Sequence, residues 1–332
     1  MKGLKLNTPV EFPSGTVKIS CGDRIAILGS CFADNIGKRL KDRGFDVCLN
    51  PFGTLYNPAS VADSIARLDS GEHFRREDCV QVGSGSSKWC SFHHHTLAAG
   101  DTPEEFLAAA NRALDEASAF WKDCGKVIIT LGTSWCFRHI GTDNAAPETG
   151  RRQSGLPETA GSPEREEAAG MIVANCLKRD AKEFRREFMP ASRTSELLQE
   201  IVSGHPDKQF IFTVSPIRHF KDGAHGNSLS KSSLLLGIDG AMRSVAETRP
   251  EGRTGDSPGA AARCEYFPAY EIMLDELRDY RFYAADMLHP SEQAAEYIFE
   301  RFISWALPED EREEFERRDR LFRQSLHIRR GV

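Results

Sequence analysis

No stretch of the chain approaches the roughly 20 apolar residues of a membrane span. Met1 to Val10 carries two lysines but no apolar segment of the secretory kind. Both absences predict a soluble, cytoplasmic protein with no membrane partner. The nine cysteines include no Cys-x-x-Cys pair and are odd in number, which argues against a disulfide framework and for reduced thiols. Neither Gly-x-Gly-x-x-Gly nor Gly-x-x-x-x-Gly-Lys-Ser/Thr occurs, so no nucleotide cofactor is expected. A concentrated basic footprint is also missing: the net charge is -6, with Lys and Arg scattered along the chain, and nucleic acid is excluded as a partner.

What is present is enough apolar material for one large core. The 332 residues are 40% hydrophobic, and we read residues 1–307 as a single domain with insertions. Arg24-Ile-Ala-Ile-Leu28 is a short apolar run ending in Gly29. The helical spacing of Ile36 and Leu40 follows, with Gly44 as its stop. Val47 to Leu49, Lys126 to Leu131, Gln209 to Val214 and Cys264 to Phe267 are further strand candidates. Helical segments run from about Pro58 to Leu68, Pro103 to Trp121 and Glu292 to Ile303. Apolar strands alternating with helices predict an α/β fold of three layers, flavodoxin-like, with a central parallel sheet of about five strands.

Two segments fall outside that pattern. Residues 141–170, rich in Gly, Pro, Glu and Thr, bury too little apolar surface to order themselves and read as a mobile insertion, and Thr248 to Ala261 has the same character. Residues 308–332 alternate acidic and basic groups around Phe315, Leu321 and Phe322, the pattern of a terminal charged helix packed by one narrow stripe.

Chemistry is expected at two places. Ser30 in Leu28-Gly-Ser-Cys-Phe-Ala33 lies at the carboxyl end of the first strand and the start of a helix, where open α/β sheets hold reactive groups and a helix dipole favours an oxyanion. A Ser there also suits a plain helix N-cap. Asp286-Met-Leu-His289, just before the last core helix, sets a carboxylate three residues from an imidazole, the pair a serine nucleophile requires. Gly53, in a turn that contains Pro51, lets a backbone amide approach a ligand closely.

Gly29-Ser-Cys-Phe-Ala33 resembles the signature of the GSCFA family of the SGNH/GDSL hydrolase superfamily. Asn50 to Pro58, Gly132-Thr-Ser-Trp135, Ala174-Asn-Cys176, Ser215 to His219, Tyr266 to Glu271 and Asp279 to Pro290 are similar to further blocks of that family, so the likeness runs from Leu6 to about Phe302. It implies a serine-dependent esterase with Ser30 as nucleophile, His289 as general base and Asp286 as its orienting partner. The amides of Ser30 and Gly53 would be oxyanion donors. The superfamily's usual third donor, an Asn after the third strand, is replaced here by Gly132-Thr-Ser134; Ser134 or Thr133 would serve, or Asn57, Asn175 or Asn227 from elsewhere. The expected partner is a small-molecule or glycan ester, an O-acetylated carbohydrate by analogy. An acyltransferase using the same acyl-serine and a non-catalytic ligand-binding protein are the alternatives.

The remaining polar clusters are assigned to a substrate cleft. These are Trp135, His94 and His95 of the His93 to His95 triplet, and His219, Asp222 and His225. Adjacent residues on an extended segment face opposite ways, and no His-Glu-x-x-His is present, so no metal is expected.

Overall fold

The computed structural model describes residues 8–83, 85–141, 170–247 and 264–329. Strands with apolar side chains on both faces need cover on both faces, and the chain supplies it by alternation. In order come β1 (Arg24–Gly29), α1 (Cys31–Asp42), β2 (Asp46–Leu49), α2 (Pro58–Ser70), the two-residue strands β3 (Val80–Gln81) and β4 (Trp89–Cys90), α3 (Pro103–Asp123) and β5 (Lys126–Leu131). Next are β6 (Trp135–His139), β7 (Ile172–Val173), β8 (Phe184–Phe188), α4 (Ala191–Gly204), β9 (Gln209–Val214) and α5 (Gly223–Glu247). The last part holds β10 (Cys264–Tyr266), the single turn α6 (Ala269–Glu271), α7 (Glu292–Ala306) and α8 (Arg312–Arg329).

Five strands make one parallel sheet in the order β10-β9-β5-β1-β2. The order reverses between β1 and β5. Loops leaving these two strands therefore turn to opposite sides, and a crevice opens at their carboxyl ends. Alternation along the strands divides the core. Ala26, Leu28, Val127, Ile129, Phe210 and Phe212 pack under α2, α3, α4 and α5. Ile25, Ile27, Ile128 and Ile211 pack under α1 and α7. This is the expected three-layer α/β arrangement.

Two features lie outside the sequence expectation. The first is a separate antiparallel sheet, β7-β6-β8, placed after β5. It carries Trp135 on its first strand. The second is the packed pair α4 and α5, whose glycines hide a helix in the sequence because glycine disfavours one. They are there for close packing: a Cβ on Gly237 would stand 2.6 Å from Thr194 Cβ, and one on Gly240 would stand 2.9 Å from Ser195 Oγ.

Residues 142–169 of the expected insertion, and residues 248–261 of the second one, lie outside the described residues. The first insertion's ends meet, because β6 and β7 pair and the His139 amide donates to Met171 O at 2.9 Å. Replacing residues 143–168 by a two-residue turn is expected to leave the thermal midpoint within about 4 °C, since the flanking strands β6 and β7 keep their pairing. A fall beyond roughly 8 °C in a calorimetric scan would show that the segment packs.

The C-terminal helix docks through Phe315, which packs on the α1/α7 layer, and through Arg43. That guanidinium is 3% exposed in its side chain and is paired with Glu296 and Asp319. It lies between the rings of Phe299 and Phe322, at 4.6 and 5.1 Å. Leu321, expected in the stripe, is 53% exposed; an arginine clasp does the work that the leucine was expected to do.

The turn from β1 into α1 is the tightest backbone feature near the crevice. Gly29 has φ +134°, and a Cβ there would fall 2.1 Å from Thr130 O. Gly29→Ala is expected to destabilise the protein by about 3 kcal/mol or more, because neither the dihedral nor the space admits a side chain. Urea unfolding of that variant is the measurement; a loss under about 1 kcal/mol would mean that the turn relaxes cheaply.

Candidate active site

Ser30 is the N-cap of α1. Its backbone is extended (φ -70°, ψ 176°), which turns the hydroxyl back onto the helix end, where it accepts from the Phe32 amide at 3.3 Å. The residue is 1% exposed. No hydrogen bond joins it to His289 among the described residues. The hydroxyl expected opposite the imidazole is thus engaged in capping α1.

Cys31 occupies that place. It is the first residue of α1, and its Sγ lies 3.8 Å from His289 Nε2. On the other side of the ring, His289 Nδ1 is 2.6 Å from Asp286 Oδ2. Asp286 holds the loop as well as the ring: its Oδ1 accepts from the amides of Leu288 and His289, both at 2.9 Å. Closing so short a turn puts Met287 at φ +58°. The backbone bond from His289, then that from Leu288, then the ring contact keep the Asp286 carboxyl low, at about 2. Burial, the largest influence, pushes the Cys31 thiol up, and Asp34 adds to it; its own amide at the helix start and Lys231 oppose them. The resting thiol is therefore protonated near neutral pH and needs a base, and His289 is in reach of it.

Most of the expected oxyanion donors are engaged elsewhere, although Asn227 Nδ2 is buried with no hydrogen-bond partner among the described residues. Ser30 N–H donates to Thr130 O at 3.0 Å, and Gly53 N–H donates to Asn50 O at 2.8 Å. Ser134 Oγ, fully buried, donates to Ser230 O at 2.9 Å. Asn57 caps α2, with Oδ1 accepting from the Ser60 amide and Nδ2 donating to Ser60 Oγ. Thr133 N–H and Gly132 N–H both donate to Tyr56 O. Two amides beside the crevice, those of Cys31 and Thr54, donate to no main-chain carbonyl among the described residues, and that of Cys31 faces its own sulfur. The loop of Thr54 is held against the β1 turn by Leu55 N–H donating to Gly29 O at 2.8 Å. Asn50 fastens the same corner, accepting from Gly29 N–H and donating to Asp34 Oδ1, both at 2.8 Å.

The expected cleft residues separate into two groups. His219 faces the crevice: its Nε2 would stand 3.2 Å from a Cβ on Gly132, and its ring meets Tyr56 edge-on at 5.6 Å. Burial, then the charges of Lys231 and His289, lower it to about 4. His95 lies with its Cβ 2.5 Å from where a Cβ on Gly53 would be, and burial lowers its imidazole. Asp222 pairs with Arg186, and burial, the largest influence, raises its carboxyl against that charge. Arg186 stacks at 3.9 Å over Trp135, whose Nε1 donates to Gly226 O at 3.3 Å. His225 is exposed on α5.

His94 does not line a cleft. It is 2% exposed, bonded through Nδ1 to Ser91 Oγ at 2.7 Å and ringed by Phe52, Phe74 and Phe106. Burial lowers it to about 3, so it stays neutral as a core residue. Its neighbour His93 turns to Asp63. The triplet is thus dispersed among three environments, and no metal-binding group of His, Cys, Asp and Glu forms among the described residues. No helix among the described residues is long and apolar enough to cross a membrane.

Sequence reasoning passed over Cys31, Thr54, Tyr56 and Lys231. For Cys31 a signal existed: in a strand-turn-helix the residue after the cap begins the helix and is free of capping duty. For Lys231 there was none, because a lysine within a helix reads as surface. The model of the GSCFA family matches residues 24–151 and 164–302, which is most of the chain. Neither the curated proteins nor the solved structures provide a match. With the signature residues Gly29 to Ala33 at the turn into α1 and the match extending through α7, the chain belongs to the GSCFA family.

Proposed function

We propose that this protein is an acyl-ester hydrolase in which Cys31, rather than Ser30, is the nucleophile. The observation that carries the reading is the line Cys31 Sγ, His289 Nε2, His289 Nδ1, Asp286 Oδ2, with gaps of 3.8 Å and 2.6 Å at its two ends. A thiol, an imidazole and an orienting carboxylate in that order form an activated nucleophile. His289 takes the thiol proton as sulfur attacks the ester carbonyl. The tetrahedral oxyanion is met by the amides of Cys31 and Thr54 at the positive end of α1. Collapse forms a thioester and releases the alcohol, which receives the proton from His289. Water, deprotonated by the same imidazole, then hydrolyses the thioester.

The likeness to SGNH/GDSL hydrolases belongs to this reading. It is supported by the sheet order, by a reactive residue directly after β1 and by Asp-x-x-His directly before α7. The substrate class we infer is an acyl ester of an alcohol, with O-acetylated carbohydrate as its leading member. The stacked Arg186 and Trp135 and the half-buried His219 offer polar and aromatic contacts for a sugar beside the crevice.

The test is a panel of acetyl and longer acyl esters, with intact-mass analysis after rapid quenching. Hydrolysis accompanied by an acyl adduct on the peptide of Cys31, cleaved by neutral hydroxylamine as a thioester is, supports the proposal. An adduct on Ser30 returns the reaction to a serine mechanism. Transfer to an added acceptor sugar in preference to water makes the protein an acyltransferase, and turnover by no ester of the panel overturns the esterase reading.

A further inference from the structure

A groove of about 930 Å³ lies between α1 and α7, and its wall includes Cys31, the first residue of α1. His289 must reach the leaving oxygen to hand it the thiol proton, and the same loop runs through Ser291, the N-cap, into α7. The groove bounded by that helix therefore lies on the alcohol side of the scissile bond. Most cations in its walls are already paired: Arg39 with Glu292 and Glu296, Arg43 with Glu296 and Asp319, and Arg323 with Asp319. Asp34 is different. It lines the same groove one helical turn after Cys31, on the same face of α1, and Asn50 Nδ2 donates to its Oδ1 at 2.8 Å. Among the described residues Asp34 forms no ion pair, and Lys38, the next cation along α1, is exposed and forms none either. A helix start gains from a negative charge, yet Ser30 already caps this one, and after burial the Asp34 charge pushes the nucleophilic thiol up. A carboxylate that opposes the nucleophile beside it points to a use at the substrate.

We propose that Asp34 is a specificity-determining residue that pairs with a cationic nitrogen on the alcohol part of the ester, so that the preferred substrate is the acyl ester of an amino alcohol. This role rests on the reading of Cys31 as nucleophile. With the ester carbonyl at Cys31 Sγ, a nitrogen two carbons beyond the ester oxygen lies about 5 Å further on, the spacing of one helical turn along α1. An open-chain amino alcohol has that spacing, and so does an amino sugar acylated on the hydroxyl next to its nitrogen. A neutral alcohol leaves the carboxylate unpaired, and an anionic one is repelled by it.

The first measurement compares kcat/KM of the full chain for acetylcholine and for 3,3-dimethylbutyl acetate, in which carbon replaces the quaternary nitrogen at the same size. The expected result is a preference of about fivefold for the cation, the upper end for a partly exposed ion pair, shrinking as salt is added. In Asp34→Asn, whose amide oxygen can still accept from Asn50 Nδ2, the ratio is expected to fall to about one. Asp34→Glu keeps the charge and is expected to keep a preference. Equal values for the two esters in the wild type, or a preference that survives in Asp34→Asn, overturn the proposal. A matching preference for a methyl glucosaminide acetylated on O3 over the corresponding glucoside places the cation on a sugar; a preference confined to acetylcholine places it on an open chain.

The second measurement needs no ester turnover. Methanethiosulfonates with a trimethylammonioethyl, an ethyl or a sulfonatoethyl arm each form a mixed disulfide with a thiol and release methanesulfinate. Their rates on the Cys31 peptide are followed by mass spectrometry, each divided by its rate with free mercaptoethanol. The expected order is cationic, neutral, anionic, and Asp34→Asn is expected to level it. Wild-type rates that ignore the charge of the arm overturn the proposal even where the Asp34 variants do not fold, and leave the esterase reading as it stands. Turnover of no ester overturns that reading instead, and the reagent rates then decide alone whether a cation is selected beside Cys31.

Discussion

Cys31→Ala is expected to reduce ester turnover by about 10⁴-fold or more, to the level left by binding and oxyanion contacts alone, with no acyl adduct on the protein. Sulfur is the only atom in the proposal that becomes covalently bonded to the acyl group, so no neighbouring group can compensate. The companion variant separates this from a serine mechanism. Ser30→Ala removes the cap bond to Phe32 N–H, costing about 1 kcal/mol of stability, but leaves the sulfur and the imidazole where they are. Its turnover is expected to stay within about tenfold of wild type, the residual loss reflecting a looser start to α1. Initial rates on one acyl ester, with thermal melting alongside, give both answers. Full activity in Cys31→Ala together with a dead Ser30→Ala would reverse the assignment.

The difference between these two adjacent residues shows how far a sequence can be read. The strand Arg24–Gly29, the helix after it, and the strands Lys126–Leu131 and Gln209–Val214 were legible because their apolar runs and stops are local signals. The pairing of Asp286 with His289 was legible too, since three residues of turn leave the carboxylate little else to do. Which of Ser30 and Cys31 stands beside the imidazole was not. It depends on the extended ψ of residue 30, which sends one side chain to the helix amides and leaves the next beside the imidazole.

Other parts were hidden for different reasons. Gly237 and Gly240 disguise α5 as a loop until α4 is seen against them. The β6, β7 and β8 sheet joins short segments separated by the long insertion, and pairing at such distance leaves little trace in composition. His94 illustrates the converse: a histidine in a polar-looking triplet turned out to be wrapped by three phenylalanines, because side chains on successive residues part company as soon as the backbone turns.

Asp286→Asn carries the other large expectation. The amide oxygen of Asn can still accept from the amides of Leu288 and His289, so the turn that places Met287 at a left-handed φ is retained. Its NH₂, however, faces His289 Nδ1 where a carboxylate oxygen now stands at 2.6 Å. A donor at that point requires Nδ1 to be the acceptor, which puts the ring proton on Nε2, the nitrogen that must take the proton from Cys31. Turnover is expected to fall about 10³- to 10⁴-fold with the fold intact and a measurable residue remaining, since the ring can still sample the productive tautomer. Asp286→Ala differs in kind, losing the turn bonds as well, and is expected to loosen the loop. The pH dependence has a definite sign. The folded carboxyl is depressed to about 2, below the ordinary value of about 3.9, so the orienting contact is present above that ordinary value and is lost only as pH falls toward the depressed one. Any loss of activity between pH 5 and 7 in the wild type therefore belongs to another group than Asp286, and Asp286→Asn is expected to lower the plateau of the pH profile without moving that limb. Turnover of Asp286→Asn within tenfold of wild type at the plateau would show that His289 does not depend on this carboxylate for its tautomer.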